Sequence, residues 1–233
     1  MKILEKIKNQ LYDKDAFEIL KLISKKFGNK AVFSTSLSIE DQVITHMLAS
    51  LNSKIKIFTL DTGRLPNETY NLIERTIEIY NIPIKIYFPN PRLVERMVNR
   101  DGINLFYRSI ENRKKCCHVR KIQPLKRALR NKKVWITGLR KEQSITRQNM
   151  ELVEYDPEFR IIKVNPLINW TEKEVWDYIK KYNIPYNSLY DKNYTSIGCE
   201  PCTRATLPGE DIRAGRWWWE HPETKECGLH IKH

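Results

Sequence analysis

AVFSTSLSIEDQ, residues 31–42, places an apolar run, a cluster of hydroxyl side chains and the start of a helix in direct succession. The run Ala31–Phe33 predicts a short buried strand, and Ile39–Leu51 predicts a helix with two acidic residues in its first turn. Between them, the hydroxyls and backbone N–H groups of residues 34–38 could bind a phosphate at the positive end of the helix. The stretch lacks the Gly-Lys-Ser/Thr of a Walker loop, so a plain serine-rich helix cap also explains it.

Strands and helices alternate along much of the chain. Apolar or alternating runs predict strands over residues 54–60, 84–88, 134–137 and 160–164. Apolar residues at helical spacing predict amphipathic helices within residues 1–27 and over residues 39–51, 67–80, 91–99, 118–130 and 170–182. The last of these begins with a predicted capping box, Thr171 with Glu174. This alternation indicates an α/β domain with a largely parallel sheet, followed from about residue 183 by a less regular segment rich in Cys and Trp.

Two further polar turns follow predicted strands, and ligands of parallel sheets bind at the carboxyl ends of the strands. Asp61 could accept a hydrogen bond from a ribose hydroxyl, and Arg64 could bind an anion. The loop at residues 138–147 carries three cations, and arginine forks bind phosphate or sulfate oxygens in a bidentate manner. An ordinary Asp-Thr-Gly turn and a solvated basic loop are the simpler interpretations of the same residues.

Composition restricts the classes of protein. The 233 residues are 41% hydrophobic, enough for one large domain with a substantial core. No apolar run is long enough to span a membrane, and the charged N-terminus has no signal-peptide core, so we expect a cytoplasmic protein without a membrane partner. The formal charge of +13 fits a solvated lysine-rich surface, an anionic small substrate or nucleic acid.

Four of the five cysteines form two pairs, Cys116-Cys117 and Cys199-Glu-Pro-Cys202. Four soft sulfur ligands suit an iron–sulfur cluster or zinc, and adjacent cysteines do not fit the usual zinc knuckle spacing. Cations flank the first pair and could offset the charge of a cluster or hold an anionic substrate: Lys114, Lys115, Arg120 and Lys121.

The fifth cysteine, Cys227, lies near the C-terminus with Lys225 and His230 close in sequence. Cations lower the pKa of a nearby thiol, so Cys227 is a candidate nucleophile, although a bystander is an equal alternative. Before it, Trp217, Trp218 and Trp219 are consecutive; three neighbouring side chains cannot all point the same way, so we expect at least one to pack inward.

Together these segments resemble the assimilatory phosphosulfate reductases, and within them the adenylylsulfate (APS) reductase branch. The resemblance runs from about residue 30 to the end of the chain. It rests on residues 34–36 with 40–42, 60–64, 115–117 with 121, 138–140 with 143–144, 198–203, 213–220 and 226–230. The combination of Cys-Cys, Cys-x-x-Cys and a terminal Glu-Cys-Gly-Leu-His is highly specific.

The resemblance implies an adenine-nucleotide α-hydrolase-like, Rossmann-like fold. It implies a [4Fe–4S] cluster, unchanged in redox state during turnover, on Cys116, Cys117, Cys199 and Cys202. Cys227 would attack the sulfur of APS, release AMP and carry an S-sulfo group, from which thioredoxin or a similar dithiol protein releases sulfite. The substrate-binding residues would be Ser34, Thr35, Ser36, Asp61, Gly63, Arg64, Lys121, Arg140, Arg213, Arg216 and His230.

The pattern of residues and the resemblance together predict an organisation. Residues 1–27 would form N-terminal helices, 28–205 the nucleotide- and cluster-binding domain, and 206–233 a segment carrying the catalytic cysteine. A homo-oligomer, dimer or tetramer, is expected, with no nucleic-acid partner and with the reductant supplied by another protein.

One departure from the family pattern is Leu37-Ser38, where Phe-Gly is commoner, which predicts a less free backbone in this loop. Use of the 3′-phosphorylated substrate PAPS, alone or with APS, remains an alternative. So do a tRNA-modifying ATP pyrophosphatase that carries a metal cluster and a metal-stabilised nucleic-acid-binding module. The Cys227 segment favours the reductase, because only that function needs a single thiol in this context.

Overall fold

The structure is a computed structural model that describes residues 2–144, 147–221 and 225. Within these residues the α-helices are α1 (Lys2–Leu11), α2 (Ala16–Phe27), α3 (Ile39–Ser50), α4 (Asn67–Tyr80), α5 (Pro91–Asp101), α6 (Ile110–Cys117), α7 (Gln123–Leu129) and α8 (Glu172–Tyr182). The strands are β1 (Ala31–Ser34), β2 (Lys56–Leu60), β3 (Ile84–Tyr87), β4 (Val134–Ile136), β5 (Val153–Asp156) and β6 (Ile161–Val164).

The six strands form one sheet in the order β3-β2-β1-β4-β6-β5. β1 pairs in parallel with β2 and β4, and β4 pairs in parallel with β6; β5 is antiparallel to β6. The prediction of a largely parallel sheet is therefore confirmed. The chain passes from β1 to β2 and β3 on one side and continues at β4 on the other, so the switch point lies between β1 and β4.

Local sequence explains where several helices begin. Asp15 caps α2 and Thr171 caps α8, each as part of a capping box, so the box predicted at Thr171 and Glu174 is confirmed. Asn90 caps α5, and Pro91 is the first residue of this helix. The fixed φ of proline favours that position. No helix among the described residues is long and apolar enough to cross a membrane.

Contacts divide the chain into two compact units. Unit 1 comprises Met1–Thr59, Thr69–Lys85 and Leu129–Asn187, and unit 2 comprises Leu60–Glu68, Ile86–Ala128 and Ser188–His233. Unit 1 contains most of the sheet with α1, α2, α3 and α8, whereas unit 2 contains α5, α6 and all four paired cysteines. These units are defined by contacts and do not follow the predicted segments 1–27, 28–205 and 206–233, whose boundaries stay a prediction.

Each unit has its own buried core. In unit 1, β4 is buried along its length and β1 over Ala31–Phe33, with Phe33, Val134 and Ile136 fully enclosed. In unit 2, apolar side chains pack around two of the thiols: Met97, Leu105, Phe106, Cys116, Cys202 and Trp217 form one cluster. Trp217 is 1% exposed and Trp218 is 39% exposed, which confirms that at least one of the three tryptophans packs inward.

Candidate active site

The four paired cysteines line one pocket in unit 2. Cys116 and Cys202 are buried, and Cys117 and Cys199 are partly buried. The structure therefore brings together two pairs that lie more than 80 residues apart in the sequence. The full lining is Arg64, Phe106, Arg113, Cys116, Cys117, Arg120, Lys121, Cys199, Pro201 and Cys202.

Short local elements position the thiols. The first pair ends α6, which begins at its cap Ser109, and a π-helical turn at His118–Ile122 follows directly. π-Turns of this kind are frequent at functional sites. The second pair closes a 3₁₀ turn, in which the backbone N–H of Cys202 donates to the carbonyl of Cys199 at 2.9 Å. The hydroxyl of Tyr107 donates to the carbonyl of Pro201 at 2.7 Å and fixes this turn from outside.

Cations surround the pocket, and two of them retain unused donors. Arg120 donates through Nη1 to the carbonyl of Thr62 at 2.6 Å, and Arg64 lies on the ring of Phe106, 5.1 Å from its centroid. Yet Arg120 Nε and Arg64 Nη1 are buried without a hydrogen-bond partner among the described residues. Buried donors are rarely left unpaired, because each costs free energy. The pocket therefore offers positive charge and free N–H donors to an anion or to sulfur acceptors.

Two of these thiols, Cys116 and Cys202, are poor nucleophiles in this environment. Burial raises the pKa of Cys116, and burial with the neighbouring Cys199 raises the pKa of Cys202 to about 12. The hydroxyl of Thr62 lies 3.2 Å from the sulfur of Cys199. In the part of the chain that the structure describes, no three His, Cys, Asp or Glu side chains converge on a point where a single metal ion would bind.

The turn after β2 belongs to the same unit and closes on itself. Gly63 donates its N–H to Asp61 Oδ1 at 2.6 Å, and its φ of 70° is one that glycine adopts without strain. A Cβ at Gly63 would lie 3.4 Å from Arg120 Nη1, so the turn approaches the pocket wall closely. The backbone carbonyl of Arg64 accepts from the N–H of Glu200 at 2.8 Å, which joins this turn to the second cysteine pair.

The loop after β1, in unit 1, uses its own donors internally. Ser36 donates both its N–H, at 2.5 Å, and its hydroxyl, at 2.7 Å, to Asp41 Oδ2. Thr35 donates its N–H to the carbonyl of Phe58 at 2.8 Å. Ser34 accepts from the indole N–H of Trp135 at 2.8 Å. The loop is thus preorganised, and the donors of Ser36 become available to a phosphate only if Asp41 gives them up.

Asp41 is the most unusual titratable group of this loop. It is 5% exposed, and burial, opposed by the hydrogen bonds from Ser36, raises its pKa to about 7. The adjacent Glu40 also raises the pKa. Asp41 therefore changes its charge near neutral pH, where an ordinary aspartate stays ionised.

The departure at Leu37-Ser38 has a different consequence from the one expected. Ser38 has a φ of −67° and caps α3, accepting from the N–H of Asp41 at 3.4 Å, so serine is suited to this position. The constraint falls on Leu37 instead, whose φ of 62° is uncommon for a residue with a Cβ. Its buried side chain packs with Leu72 and Ile73, which holds this conformation.

The loop after β4 meets the loop after β1 within unit 1. Arg140 is fully buried; it donates to Glu40 at 2.9 Å, to Glu142 at 2.8 Å and to the carbonyl of Trp170 at 3.2 Å. Its charge is thus already paired. A Cβ at Gly138 would overlap Asp41 Oδ1, so the close approach of these loops requires glycine at this position.

Arg213 and Arg216 lie in unit 2. Arg216 Nη1 donates to the carbonyl of Ile197 at 3.1 Å, its guanidinium fills the space beside Gly198, and its Nε has no partner among the described residues. Arg213 Nη2 donates to the carbonyl of Lys225 at 2.9 Å. The predicted nucleophile Cys227 and the predicted ligand residue His230 lie outside the described residues.

Sequence reasoning missed two residues of the pocket region. Arg113 lines the pocket, and Glu220 pairs with it through two hydrogen bonds of 2.9 and 2.7 Å. One signal for Arg113 was available, since it lies one helical turn before Cys116 on a predicted ligand segment. Nothing in the sequence indicates its pairing with a residue 107 positions away.

Comparisons with known proteins agree with this geometry. A family model described as the phosphoadenosine phosphosulfate reductase domain matches residues 30–205. A curated adenosine 5′-phosphosulfate reductase of Allochromatium vinosum is 50% identical over 92% of this chain and 84% of its own length. A crystal structure of phosphoadenylyl-sulfate (PAPS) reductase from Candida auris, a phosphate complex, has a TM-score of 0.73 at 26% identity and covers 86% of this chain and 96% of its own.

Yeast FAD synthetase, solved with FAD, has a TM-score of 0.55 at 15% identity over 88% of this chain and 74% of its own, a likeness that concerns the fold alone. With the parallel sheet, it confirms the predicted adenine-nucleotide α-hydrolase-like fold. This chain belongs to the phosphoadenosine phosphosulfate reductase domain family.

Proposed function

We propose that this protein is an APS reductase that converts APS to sulfite and AMP in sulfate assimilation. Two observations carry the proposal: four thiols line one basic pocket, and in the sequence the fifth, Cys227, belongs to neither cysteine pair and lies in Glu-Cys-Gly-Leu-His. Curated relatives about 50% identical over most of the chain are named adenosine 5′-phosphosulfate reductase, which supports the choice of reaction.

The proposed reaction has two steps. The Cys227 thiolate attacks the sulfur of APS, an S–S bond forms, and the S–O bond to AMP breaks with AMP as the leaving group. A thiolate of a thioredoxin-like dithiol protein then attacks Cys227 Sγ and displaces sulfite, and its second thiol resolves the mixed disulfide. The dithiol is thereby oxidised by two electrons, and Cys227 returns to the thiol.

A [4Fe–4S] cluster fits the pocket. The donor set is four thiols, the buried donors Arg64 Nη1 and Arg120 Nε lack acceptors, and the positive lining opposes the negative charge of four thiolates. In a cubane each thiolate binds a different iron, so the sulfurs need not converge on one ion, as zinc would require. Cys116, Cys117, Cys199 and Cys202 would hold the cluster, which supplies a fixed electrostatic centre, while the electrons come from the dithiol.

The cations of unit 2 would bind the sulfuryl end of APS. Lys121 lines the pocket, and Arg216 carries a buried donor without a partner among the described residues, which suits an anionic oxygen. Arg213 holds the backbone of Lys225, two residues before Cys227 in the sequence, and would place the nucleophile. His230 remains a candidate for closing the site.

The loops of unit 1 would bind the AMP moiety. Ser34 ends β1 at the switch point, Thr35 and Ser36 follow it, and Arg140 follows β4. Asp61, Gly63 and Arg64, described with unit 2, remain candidates for the ribose and phosphate. The cysteine set and the names of the curated relatives support a preference for APS over PAPS.

The experiment compares APS and PAPS as substrates for the anaerobically purified protein with thioredoxin and its reductase. We expect AMP and sulfite in equal amounts from APS, and a kcat/KM for PAPS at least about tenfold lower. Comparable values of kcat/KM would leave a reductase and refute the preference. Absence of sulfite from both substrates, with AMP release also absent, would refute the function. The same preparation checks the expected homo-oligomer by light scattering; a cytoplasmic location remains part of the proposal.

A further inference from the structure

We infer that Arg113, Trp217 and Glu220 form a positioning device that fixes residues 217–220, the part of the chain that leads to Cys227 in the sequence, against the wall of the thiol pocket. This inference rests on the proposed function, because it assigns a role in presenting Cys227 to its substrate. All three residues lie in unit 2, and the relevant contacts lie within that unit.

The core of the device is a buried, bidentate ion pair. Arg113 Nε donates to Glu220 Oε1 at 2.9 Å, and Arg113 Nη2 donates to Glu220 Oε2 at 2.7 Å. The side chains are 1% and 3% exposed. A planar fork on a carboxylate fixes orientation as well as distance, and lysine cannot reproduce it. Buried pairs of this kind contribute little net stability and are better explained by the geometry they specify.

Trp217 links the ion pair to Arg216, a predicted substrate-binding residue. The guanidinium of Arg113 lies 4.5 Å from the centroid of the Trp217 ring, and that of Arg216 lies 4.7 Å from the same ring. Trp217 has a φ of 41°, a conformation that a bulky residue keeps only where its surroundings impose it. Its backbone N–H donates to the carbonyl of the pocket residue Cys202 at 3.2 Å.

The device connects the wall of the thiol pocket to the part of the chain that precedes Cys227. Arg113 lies in α6, one turn before Cys116 and Cys117, and its side chain forms part of the pocket wall. Glu220 lies seven residues before Cys227 in the sequence, and its N–H donates to the carbonyl of Trp217 at 2.8 Å. A shift of the pocket wall therefore reaches Arg216 and the beginning of the Cys227 segment through groups in direct contact.

The chain contains a matched control. Arg204 and Glu210 also form a two-bond ion pair in unit 2, at 2.8 and 2.7 Å, in the region before Cys227. That pair is about one-third exposed and does not line the thiol pocket. Glu210→Gln and Glu220→Gln thus remove the same charge from the same kind of pair, and only the second disturbs the device.

The test measures single turnovers of each variant with saturating APS and no reductant, following the SO3 adduct on Cys227 by mass spectrometry. For Glu220→Gln we expect adduct formation at least about tenfold slower at full iron content, with half-saturation by APS within about twofold of wild type, because misplacing a reacting group lowers the rate more than the affinity. Glu210→Gln should react within about twofold of wild type. A second readout, alkylation of Cys227 by iodoacetamide, should change for Glu220→Gln only.

Equal adduct rates for the two variants would overturn the inference. So would a loss of rate in Glu220→Gln that merely follows a loss of iron. If Glu220→Gln does not fold, Arg113→Lys decides: it keeps the charge and removes the fork, so a slower adduct with intact iron supports the inference and a wild-type rate refutes it. Failure of wild type itself to release AMP from APS would refute the proposed function, and the alkylation readout would still report on the device.

Discussion

The loop after β1 and the pocket around the four cysteines differ in how their buried charges are satisfied. In the loop, the donors of Ser36 and the guanidinium of Arg140 are paired with Asp41 and Glu40 of the same unit. In the pocket, Arg64 and Arg120 keep buried donor atoms that have no partner among the described residues. The loop is thus complete without a ligand, and the pocket is not. We therefore expect that removing a bound ligand or cluster destabilises the pocket far more than the loop.

The largest effect should come from removing one pocket thiol. Cys199→Ser replaces a soft sulfur ligand with a hard hydroxyl, so iron should fall from about four per chain to below about one, with loss of brown colour. The measurement is iron analysis with visible absorption on anaerobic protein. Ser36→Ala, in the loop, is the control and should keep its iron. Stoichiometric zinc in colourless wild-type protein would contradict the cluster.

A smaller effect should follow from filling the gap between the two loops of unit 1. Gly138→Ala places a methyl group against Asp41 Oδ1 and near the Cβ of Glu40, so we expect a loss of about 1–3 kcal/mol in the free energy of unfolding, as for other overpacked sites. Urea denaturation measures it. In the double variant Gly138→Ala/Asp41→Ala the cost should be largely relieved; additive effects would show that the loops do not meet as described.

A third effect should be a pH dependence of stability from Asp41. Its pKa rises from 3.8 to about 7 on folding, chiefly through burial, so the folded protein binds a proton more tightly than the unfolded chain over this interval. Stability should therefore fall as the pH rises from 3.8 towards 7, and Asp41→Asn should remove this slope. Urea titrations across this range test it, with the exposed Asp13→Asn as control. Equal slopes of unfolding free energy against pH in wild type and Asp41→Asn would show that another group takes up the proton on folding.

Much of the fold was predictable because its strands are apolar and its helices amphipathic. Two elements escaped. β5, which reads VEYD, alternates over only four residues, too few to predict a strand, and it is stabilised by pairing with β6. α6, which reads IENRKKCC, has no clear apolar face, and its helix is supported by the Ser109 cap and by packing around Cys116.

The site was predictable in its residue types and not in its pairings. The cysteine spacing indicated a shared ligand set, and the structure places all four thiols in the lining of one pocket, while their role as cluster ligands stays a prediction. The neutralisation of Arg140 by Glu40 joins residues 100 positions apart, and the pairing of Arg113 with Glu220 joins residues 107 positions apart. Such contacts depend on tertiary structure, which local pattern does not encode. The roles of Cys227 and His230 rest on sequence alone, since both lie outside the described residues.

The most direct test of the division between pocket thiols and nucleophile is the mass of each cysteine peptide after mixing the protein with APS in the absence of reductant. We expect one SO3 group on the peptide that contains Cys227, none on the peptides of Cys116, Cys117, Cys199 and Cys202, and one AMP released per adduct. Cys227→Ser should keep its iron, bind APS and form no adduct. An SO3 group on a pocket cysteine, or sulfite formed by Cys227→Ser at the wild-type rate, would contradict this division of roles among the cysteines.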